Sequence, residues 1–181
     1  MPELKTVILA AGCVANLLLV VGILWSIFQP ERRVWPPIHS TAVHKTVVWG
    51  LTCVGFGSAI ALALLEWGAL DFPWIIRGGL GLCLIVLVWS GVMQLGMAAT
   101  SGDEGVLRTR GLYRVSRNPQ YVADIAILIG IGVLSASILA WPVIITGVTA
   151  LALAPFAEER WLIDRYGNAY RAYLRKTRRF L

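Results

Sequence analysis

The chain has 181 residues, of which 57% are hydrophobic and only 14% are charged, and its mean hydropathy is +0.72. Soluble domains carry about a quarter charged residues, so this composition excludes a soluble globular protein and indicates an integral membrane protein. The formal net charge of +6 comes mostly from arginines beside apolar segments, where they can meet anionic lipid headgroups, so we expect membrane lipids and no nucleic acid as partners.

Five apolar segments follow one another along the chain. They run from 6 to 28, 46 to 65, 75 to 99, 122 to 140 and 141 to 157. Because about 20 helical residues cross the hydrocarbon core, we expect an all-α membrane protein with about five transmembrane helices. The last two segments are short and closely linked, and a re-entrant hairpin is the alternative for that pair. The first segment is too long for a signal peptide and lacks a cleavage site, so we expect it to stay as a helix.

The distribution of positive charge predicts the orientation of the chain. Lysine and arginine are concentrated in the first loop, in the third loop and after residue 157, whereas the second and fourth loops hold a single arginine, Arg77. The positive-inside rule therefore places the first loop, the third loop and the C-terminus in the cytoplasm, with the N-terminus outside. We expect a multi-pass protein of a prokaryotic inner membrane.

The segment from Phe156 to Arg179 is too polar to cross the bilayer. Its tyrosines and leucines lie among many charges, which predicts an amphipathic helix at the membrane interface. Pro155 lacks a backbone donor, so we expect the chain to bend or break there. Tryptophans near the predicted ends of the spans are expected in the headgroup belt. These residues are Trp25, Trp35, Trp67, Trp74, Trp141 and Trp161.

The segment before the fourth span reads Arg110-Gly-Leu-Tyr-Arg-Val-Ser-Arg-Asn-Pro-Gln-Tyr121. Pro119 suits the first turn of a helix, which places Arg117 and Asn118 at a helix N-terminus. That end offers amide donors and partial positive charge, and so suits a carboxylate or phosphate of a ligand. The alternative is that the arginines of this segment only reach out to lipid phosphates.

Three carboxylates lie at or near the predicted membrane boundary. Glu158 and Glu159 end the fifth span, where adjacent carboxylates are costly unless they are solvated or paired. One could accept hydrogen bonds from a ribose diol while the other pairs with an arginine of the third loop, and the alternative is a structural salt-bridge cluster. Asp124 lies one turn inside the fourth span, where an ionisable residue suggests a functional site. It could also simply pair with Arg117 or Arg114.

No metal site is expected. His39 and His44 lie in the first loop without Cys, Asp or Glu at ligand spacing, and the three cysteines fall in three different apolar segments. The chain contains no GxSxG, P-loop or HExxH motif.

Taken together, three patterns resemble the integral-membrane methyltransferases of the isoprenylcysteine carboxyl methyltransferase and phospholipid methyltransferase superfamily. They are Gly111-x-Tyr113-x-x-x-Arg117-Asn118-Pro119-x-Tyr121, the glutamate pair, and Tyr166-Gly167-x-x-Tyr170-x-x-Tyr173. The resemblance covers the C-terminal half of the chain and implies an S-adenosylmethionine site that opens to the cytosol. Asn118 stands where the best-known members have histidine, and asparagine cannot titrate near neutral pH, so a general-base role for it is not expected.

The resemblance also implies roles for individual residues. The cofactor-binding residues would be Gly111, Tyr113, Asn118, Pro119, Tyr121, Glu158, Glu159 and Tyr170. Arg117 or Arg114 would orient a carboxylate acceptor, and Asp124 or a glutamate would take the proton of an amine acceptor. Methyl transfer from a sulfonium is a direct displacement, which requires alignment and exclusion of water but no metal.

The acceptor is expected to be lipophilic: a lipid headgroup, an isoprenoid or a prenylcysteine-like carboxylate. We expect 1–181 to form a single membrane methyltransferase domain, in which the helices of 1–70 vary with the substrate and 75–181 form the cofactor-binding core. The main alternative is a non-catalytic membrane protein of the same fold that binds lipid or a partner. A nicotinamide-dependent reductase resembling sterol reductases is disfavoured by the short chain.

Overall fold

The computed structural model describes residues 1–37, 41–95 and 107–181. This part of the chain contains five α-helices and no strand, so the all-α prediction is confirmed. The helices are α1 (Pro2–Phe28), α2 (Ala42–Leu65), α3 (Trp74–Leu95), α4 (Pro119–Ser135) and α5 (Ala140–Lys176), with 3₁₀ turns at Pro30–Arg32 and Gly111–Arg114. His39 and the predicted third span beyond residue 95 lie outside the described residues.

The helices have the length and surface of membrane spans. Three of them, α1, α2 and α5, are long and apolar enough to cross a bilayer, while α4 and the first part of α3 are shorter apolar helices. Large apolar side chains such as Val7, Val14 and Val21 of α1 point away from the rest of the protein. Such a surface suits hydrocarbon rather than water. The protein is therefore an integral membrane protein, as its composition predicts.

Close contacts between helices fix their relative directions. In α1 and α2, Asn16 lies beside Gly55, and Lys5 near the start of α1 meets Glu66 after the end of α2, so these helices are antiparallel. The short connection 136–139 makes α4 and α5 antiparallel as well. As a result, residues 29–37, 107–118 and the end of α5 gather at one end of the bundle. The basic segments that the sequence assigns to one compartment thus lie together in space.

A buried asparagine joins three helices in the middle of the bundle. Asn16 of α1 is 4% exposed, and its Nδ2 donates to the Val143 carbonyl at 2.9 Å and to Thr146 Oγ1 at 3.2 Å, both on α5. A Cβ atom at Gly55 of α2 would clash with Asn16 Oδ1. The glycine therefore makes room for the amide, which acts as a polar link between apolar helices.

Replacing Asn16 with leucine is expected to lower the thermal unfolding midpoint in detergent. Leucine has a similar volume but no donor, so both bonds to α5 are lost, at a cost of about 1 kcal/mol. Thermal unfolding followed by circular dichroism measures the effect. The control is Leu17→Ala, which trims a half-exposed neighbour on the same helix. Equal midpoints for Asn16→Leu and the wild type would show that the amide does not hold these helices together.

At the end of the bundle opposite the basic segments, Glu66 fixes the beginning of α5. Its Oε2 accepts hydrogen bonds from Leu139 N at 3.0 Å and from Ser137 Oγ at 3.2 Å, and its Oε1 faces Lys5 Nζ at 3.5 Å. Burial raises the pKa of the Glu66 carboxyl, but these donors outweigh it and hold the pKa below its ordinary value. A carboxylate at the first turn of a helix also matches the helix dipole. The charge of this carboxylate inside an apolar protein is therefore explained by its structural role at the start of α5.

The predicted break of the helix at Pro155 does not occur. The helix α5 runs through Pro155 and becomes non-helical only at Gly167, where φ is 53° and ψ is −127°. Pro155 is fully buried, and its neighbours Ala154 and Ala157 pack in a cluster with Ile23 of α1. Packing on both sides thus overrides the missing backbone donor. The left-handed φ at Gly167 is one that glycine adopts at little cost, and it redirects the chain after the span.

The helix α4 is displaced from its predicted position. It begins at Pro119 and ends at Ser135, whereas the apolar pattern predicts 122 to 140. Pro119 takes the first helical turn, as expected, and Ala136 ends the helix with a left-handed φ of 51°. At 17 residues this helix rises about 25 Å, somewhat less than the hydrocarbon thickness. The choice between a spanning and a re-entrant arrangement stays a prediction.

Candidate functional site

The two glutamates at the polar end of α5 have separate sets of partners. We refer to Glu158, Glu159 and the side chains that bond to them as the glutamate site. The partners come from three parts of the chain: the loop after α1, the start of α4 and the C-terminus. The site is therefore assembled by the tertiary fold.

Glu158 accepts two hydrogen bonds on one oxygen. The Tyr121 hydroxyl, from the first turn of α4, donates to Glu158 Oε1. The Trp35 indole, from the loop after α1, donates to the same oxygen at 2.7 Å and also lies 3.3 Å from the Tyr121 hydroxyl. Among the described residues, no donor bonds to Glu158 Oε2. The described residues thus hold one oxygen of Glu158 and leave the other without a donor.

Glu159 is held by two arginines. Arg117 Nη2 donates to its Oε1 at 2.6 Å, while Arg179 donates from Nε to Oε1 and from Nη2 to Oε2, both at 2.8 Å. The side chains of Arg117 and Glu159 are only 9% and 12% exposed. Charge-assisted bonds of this kind are short and strong. The bond to Glu159 raises the pKa of the Arg179 guanidinium above its ordinary value.

The residues after α5 fold back onto the segment that precedes α4. We call residues 177–181 the C-terminal segment. Arg117 N donates to the Arg178 carbonyl at 2.9 Å, and Arg117 Nη1 donates to the Thr177 carbonyl at 2.5 Å. The Asn118 amide donates to the Arg179 carbonyl at 3.0 Å. Arg117 and Asn118 therefore direct their donors toward the C-terminal segment.

Tyrosines of the sequence motifs hold the 3₁₀ turn Gly111–Arg114 against α5. The Tyr173 hydroxyl donates to the Tyr113 carbonyl at 2.6 Å, and its ring packs edge-on against Tyr170 at 5.9 Å. Burial raises the pKa of the Tyr113 hydroxyl; nearby Arg108 opposes this effect, whereas the charge of Glu158 adds to it. The turn is thus held against α5 by Tyr173, close enough to the glutamate site for Tyr113 to feel the charge of Glu158.

Most of the site residues predicted from sequence come together at this end of the molecule. They are Tyr113, Arg117, Asn118, Pro119, Tyr121, Glu158, Glu159 and Tyr170. Gly111 begins the 3₁₀ turn with a φ of 64° and is exposed. Arg114 is exposed on the same turn and forms no hydrogen bond or ion pair with a described residue.

Asp124 lies one turn further along α4 than Tyr121 and is half-buried. The alternative that it simply pairs with Arg117 is not seen, and Arg117 is paired with Glu159 instead. No ion pair or hydrogen bond joins it to Arg114 either. Within the described part of the chain the Asp124 carboxylate has no hydrogen-bond or ion-pair partner. It remains a polar group at membrane depth that the fold itself does not explain.

Sequence reasoning missed two members of the glutamate site. Trp35 is predicted to lie in the headgroup belt, but its indole turns inward to Glu158, which is 123 positions away in the sequence. Arg179 is one of many charges near the C-terminus, and nothing in its local sequence distinguishes it from Arg178. Both contacts depend on the return of distant chain segments, for which no local pattern exists.

A family model for phospholipid methyltransferases matches residues 74–169, which is more than half of the chain. Searches of curated proteins and of solved structures gave no match. The matched region begins with α3 and contains Arg117, Tyr121 and both glutamates. Trp35 and Arg179, which complete the glutamate site, lie outside it.

Proposed function

This chain belongs to the phospholipid methyltransferase family, and we propose that it transfers a methyl group from S-adenosylmethionine to a lipophilic acceptor at the cytoplasmic face of the membrane. The family supports methyl transfer to a lipid-like substrate. In this proposal, residues 1–181 act as one domain of a prokaryotic inner-membrane enzyme. The clustering of the basic segments at the end of the bundle that carries the glutamates supports a cytoplasmic site.

The open oxygen of Glu158 carries the proposal. A carboxylate oxygen accepts hydrogen bonds from hydroxyl groups, so Oε2 suits a ribose hydroxyl of the cofactor. Glu159 has both oxygens bonded to arginines, and its role would be to hold Arg117 and the C-terminal segment in place. This assignment separates two adjacent glutamates that the sequence alone does not distinguish.

When bound, the cofactor supplies a methyl group on a positively charged sulfur. The protein has to align the acceptor with that methyl group and exclude water. The family favours a lipid headgroup as the acceptor, over an isoprenoid or a prenylcysteine-like carboxylate. If the acceptor is an amine, its proton must leave before the nitrogen can attack, and the half-buried carboxylate of Asp124 would take it. The exposed Arg114 would meet an anionic group of the acceptor.

Isothermal titration of the detergent-purified protein with S-adenosylmethionine tests the cofactor. We expect saturable binding, and we expect Glu158→Gln to weaken it about tenfold or more, because an amide is a poorer acceptor for the ribose hydroxyl. Heat changes no larger than those of buffer at millimolar cofactor would refute the proposal.

Incubation with methyl-labelled cofactor and a total bacterial lipid extract tests the acceptor. We expect label to enter the organic phase, and chromatography identifies the labelled lipid. Label confined to the aqueous phase would exclude a lipid acceptor. A protein that binds lipid vesicles but not the cofactor would support the non-catalytic alternative.

A further inference from the structure

We propose that Trp35 is a positioning residue for Glu158, so that the N-terminal part of the chain completes the cofactor site. Trp35 lies outside residues 74–169, which the family model matches. Its indole N–H is 2.7 Å from Glu158 Oε1. This inference rests on the proposed function, because it takes Glu158 to be a cofactor-binding residue.

The backbone of Trp35 is fixed by a buried serine near the end of α1. Ser26 is 3% exposed, and its hydroxyl donates to the Gly22 carbonyl at 2.7 Å. The same oxygen accepts hydrogen bonds from Val34 N and Trp35 N, each at 2.9 Å. The backbone of Trp35, in the loop after α1, is thereby attached to Ser26 of α1.

The indole ring is fixed as well. It packs with Tyr121 against a small apolar cluster formed by α1 and α5, whose members are Ile23, Ala150, Ala154 and Ala157. Both the backbone and the ring of Trp35 are thus held in the position in which its N–H points at Glu158. A side chain restrained in this way can orient a carboxylate without losing much conformational entropy.

The hydrogen-bonding chemistry of the three groups fixes which of them donates and which accepts. The indole N–H of Trp35 can only donate, the Tyr121 hydroxyl also donates, and the Glu158 carboxylate accepts both hydrogen bonds. With Trp35 and Tyr121 both on Oε1, the carboxyl group of Glu158 is fixed in rotation, and Oε2 is left for a ligand. Removing the indole donor would leave Tyr121 as the one described donor to this carboxylate, and a single hydrogen bond restricts its rotation less than two do.

Trp35→Phe tests this role, because it keeps an aromatic ring and removes the donor. We expect the Kd and the KM for S-adenosylmethionine to rise about tenfold, while kcat at saturating cofactor and the KM for the lipid acceptor stay close to the wild-type values. The matched control is Trp25→Phe, which removes an indole that donates to the Arg32 carbonyl on the exposed side of the same loop. It should leave every constant unchanged.

The outcomes separate this inference from the proposed function. A wild-type protein that does not bind the cofactor overturns both. A wild-type protein that binds, together with a folded Trp35→Phe variant that binds equally well, overturns the positioning role alone. If Trp35→Phe does not fold, Ser26→Ala replaces it, since this change keeps the indole but frees the backbone behind it. A weaker cofactor affinity in a folded Ser26→Ala protein supports the role, and an unchanged affinity overturns it.

Discussion

Glu159→Gln is expected to be the most destabilising conservative substitution in the glutamate site. The glutamine amide cannot accept hydrogen bonds at both positions and directs N–H groups at guanidinium donors. Arg117, whose side chain is 9% exposed, then keeps a buried charge without its counter-ion. Removing one partner of a buried pair costs about 3–5 kcal/mol, and we expect the lower end of that range because the Arg179 side chain is 33% exposed.

The loss of stability in Glu159→Gln should be concentrated at the C-terminus. Arg179 ties the C-terminal segment to Glu159 through its side chain, so hydrogen exchange of residues 177–181 should accelerate in the variant and the thermal midpoint should fall. Two controls separate this effect from a change in net charge. Glu31→Gln removes a charge from an exposed turn and should change neither quantity. Glu158→Gln should reduce cofactor affinity more than stability. A wild-type midpoint in Glu159→Gln would mean that these ion pairs contribute nothing to the fold.

The same contacts change the interpretation of Arg117. The resemblance implies that it orients the acceptor, but Nη2 bonds to Glu159 and Nη1 bonds to the Thr177 carbonyl. These contacts favour a structural role, in which Arg117 connects the family core to the C-terminal segment. Direct contact between Arg117 and the acceptor stays a prediction, and so does contact by Arg114, which is exposed on the preceding turn and bonds to no described residue.

The features that the sequence predicts well are those that depend on local composition. Apolar length predicts five helices because a span needs a continuous run of apolar residues. Pro119 predicts the start of α4 because its ring restricts the backbone of that one residue. Pro155 has the same chemistry but does not break α5, since the buried contacts of α5 with α1 stabilise the continued helix. Tertiary packing outweighs local propensity wherever a residue is buried on several sides.

The features that the sequence does not predict join distant segments. The order of the motif residues predicts that Asn118 lies at a helix N-terminus, but not that its amide donates to the Arg179 carbonyl. That contact requires residues 177–181 to fold back onto the start of α4 after α5 ends. Trp35 likewise looks like any tryptophan near a membrane boundary. Its role depends on the attachment of its loop to Ser26, which only the folded structure reveals.

Asp124→Asn is expected to have the largest effect on turnover. We expect kcat to fall about 100-fold or more, which is the usual contribution of general acid–base catalysis, with little change in cofactor affinity. The reason is the isolation of the carboxylate: Asp124 is half-buried in α4, one turn from Tyr121, and has no hydrogen-bond or ion-pair partner among the described residues. An ammonium headgroup would provide the partner and lose a proton to it, whereas asparagine cannot accept that proton.

The rate of label transfer at saturating cofactor, measured as a function of pH, tests this role. If asparagine removes only the proton acceptor, the variant should regain activity as the pH rises, because more of the amine is then already neutral. Asp164→Asn is the matched control, since Asp164 is an exposed aspartate on α5, and it should retain the wild-type rate and pH profile. A wild-type rate in Asp124→Asn would indicate an acceptor that arrives already ionised, such as a carboxylate. The attacking group would then need no base, and orientation by an arginine would become the main contribution of the protein on the acceptor side.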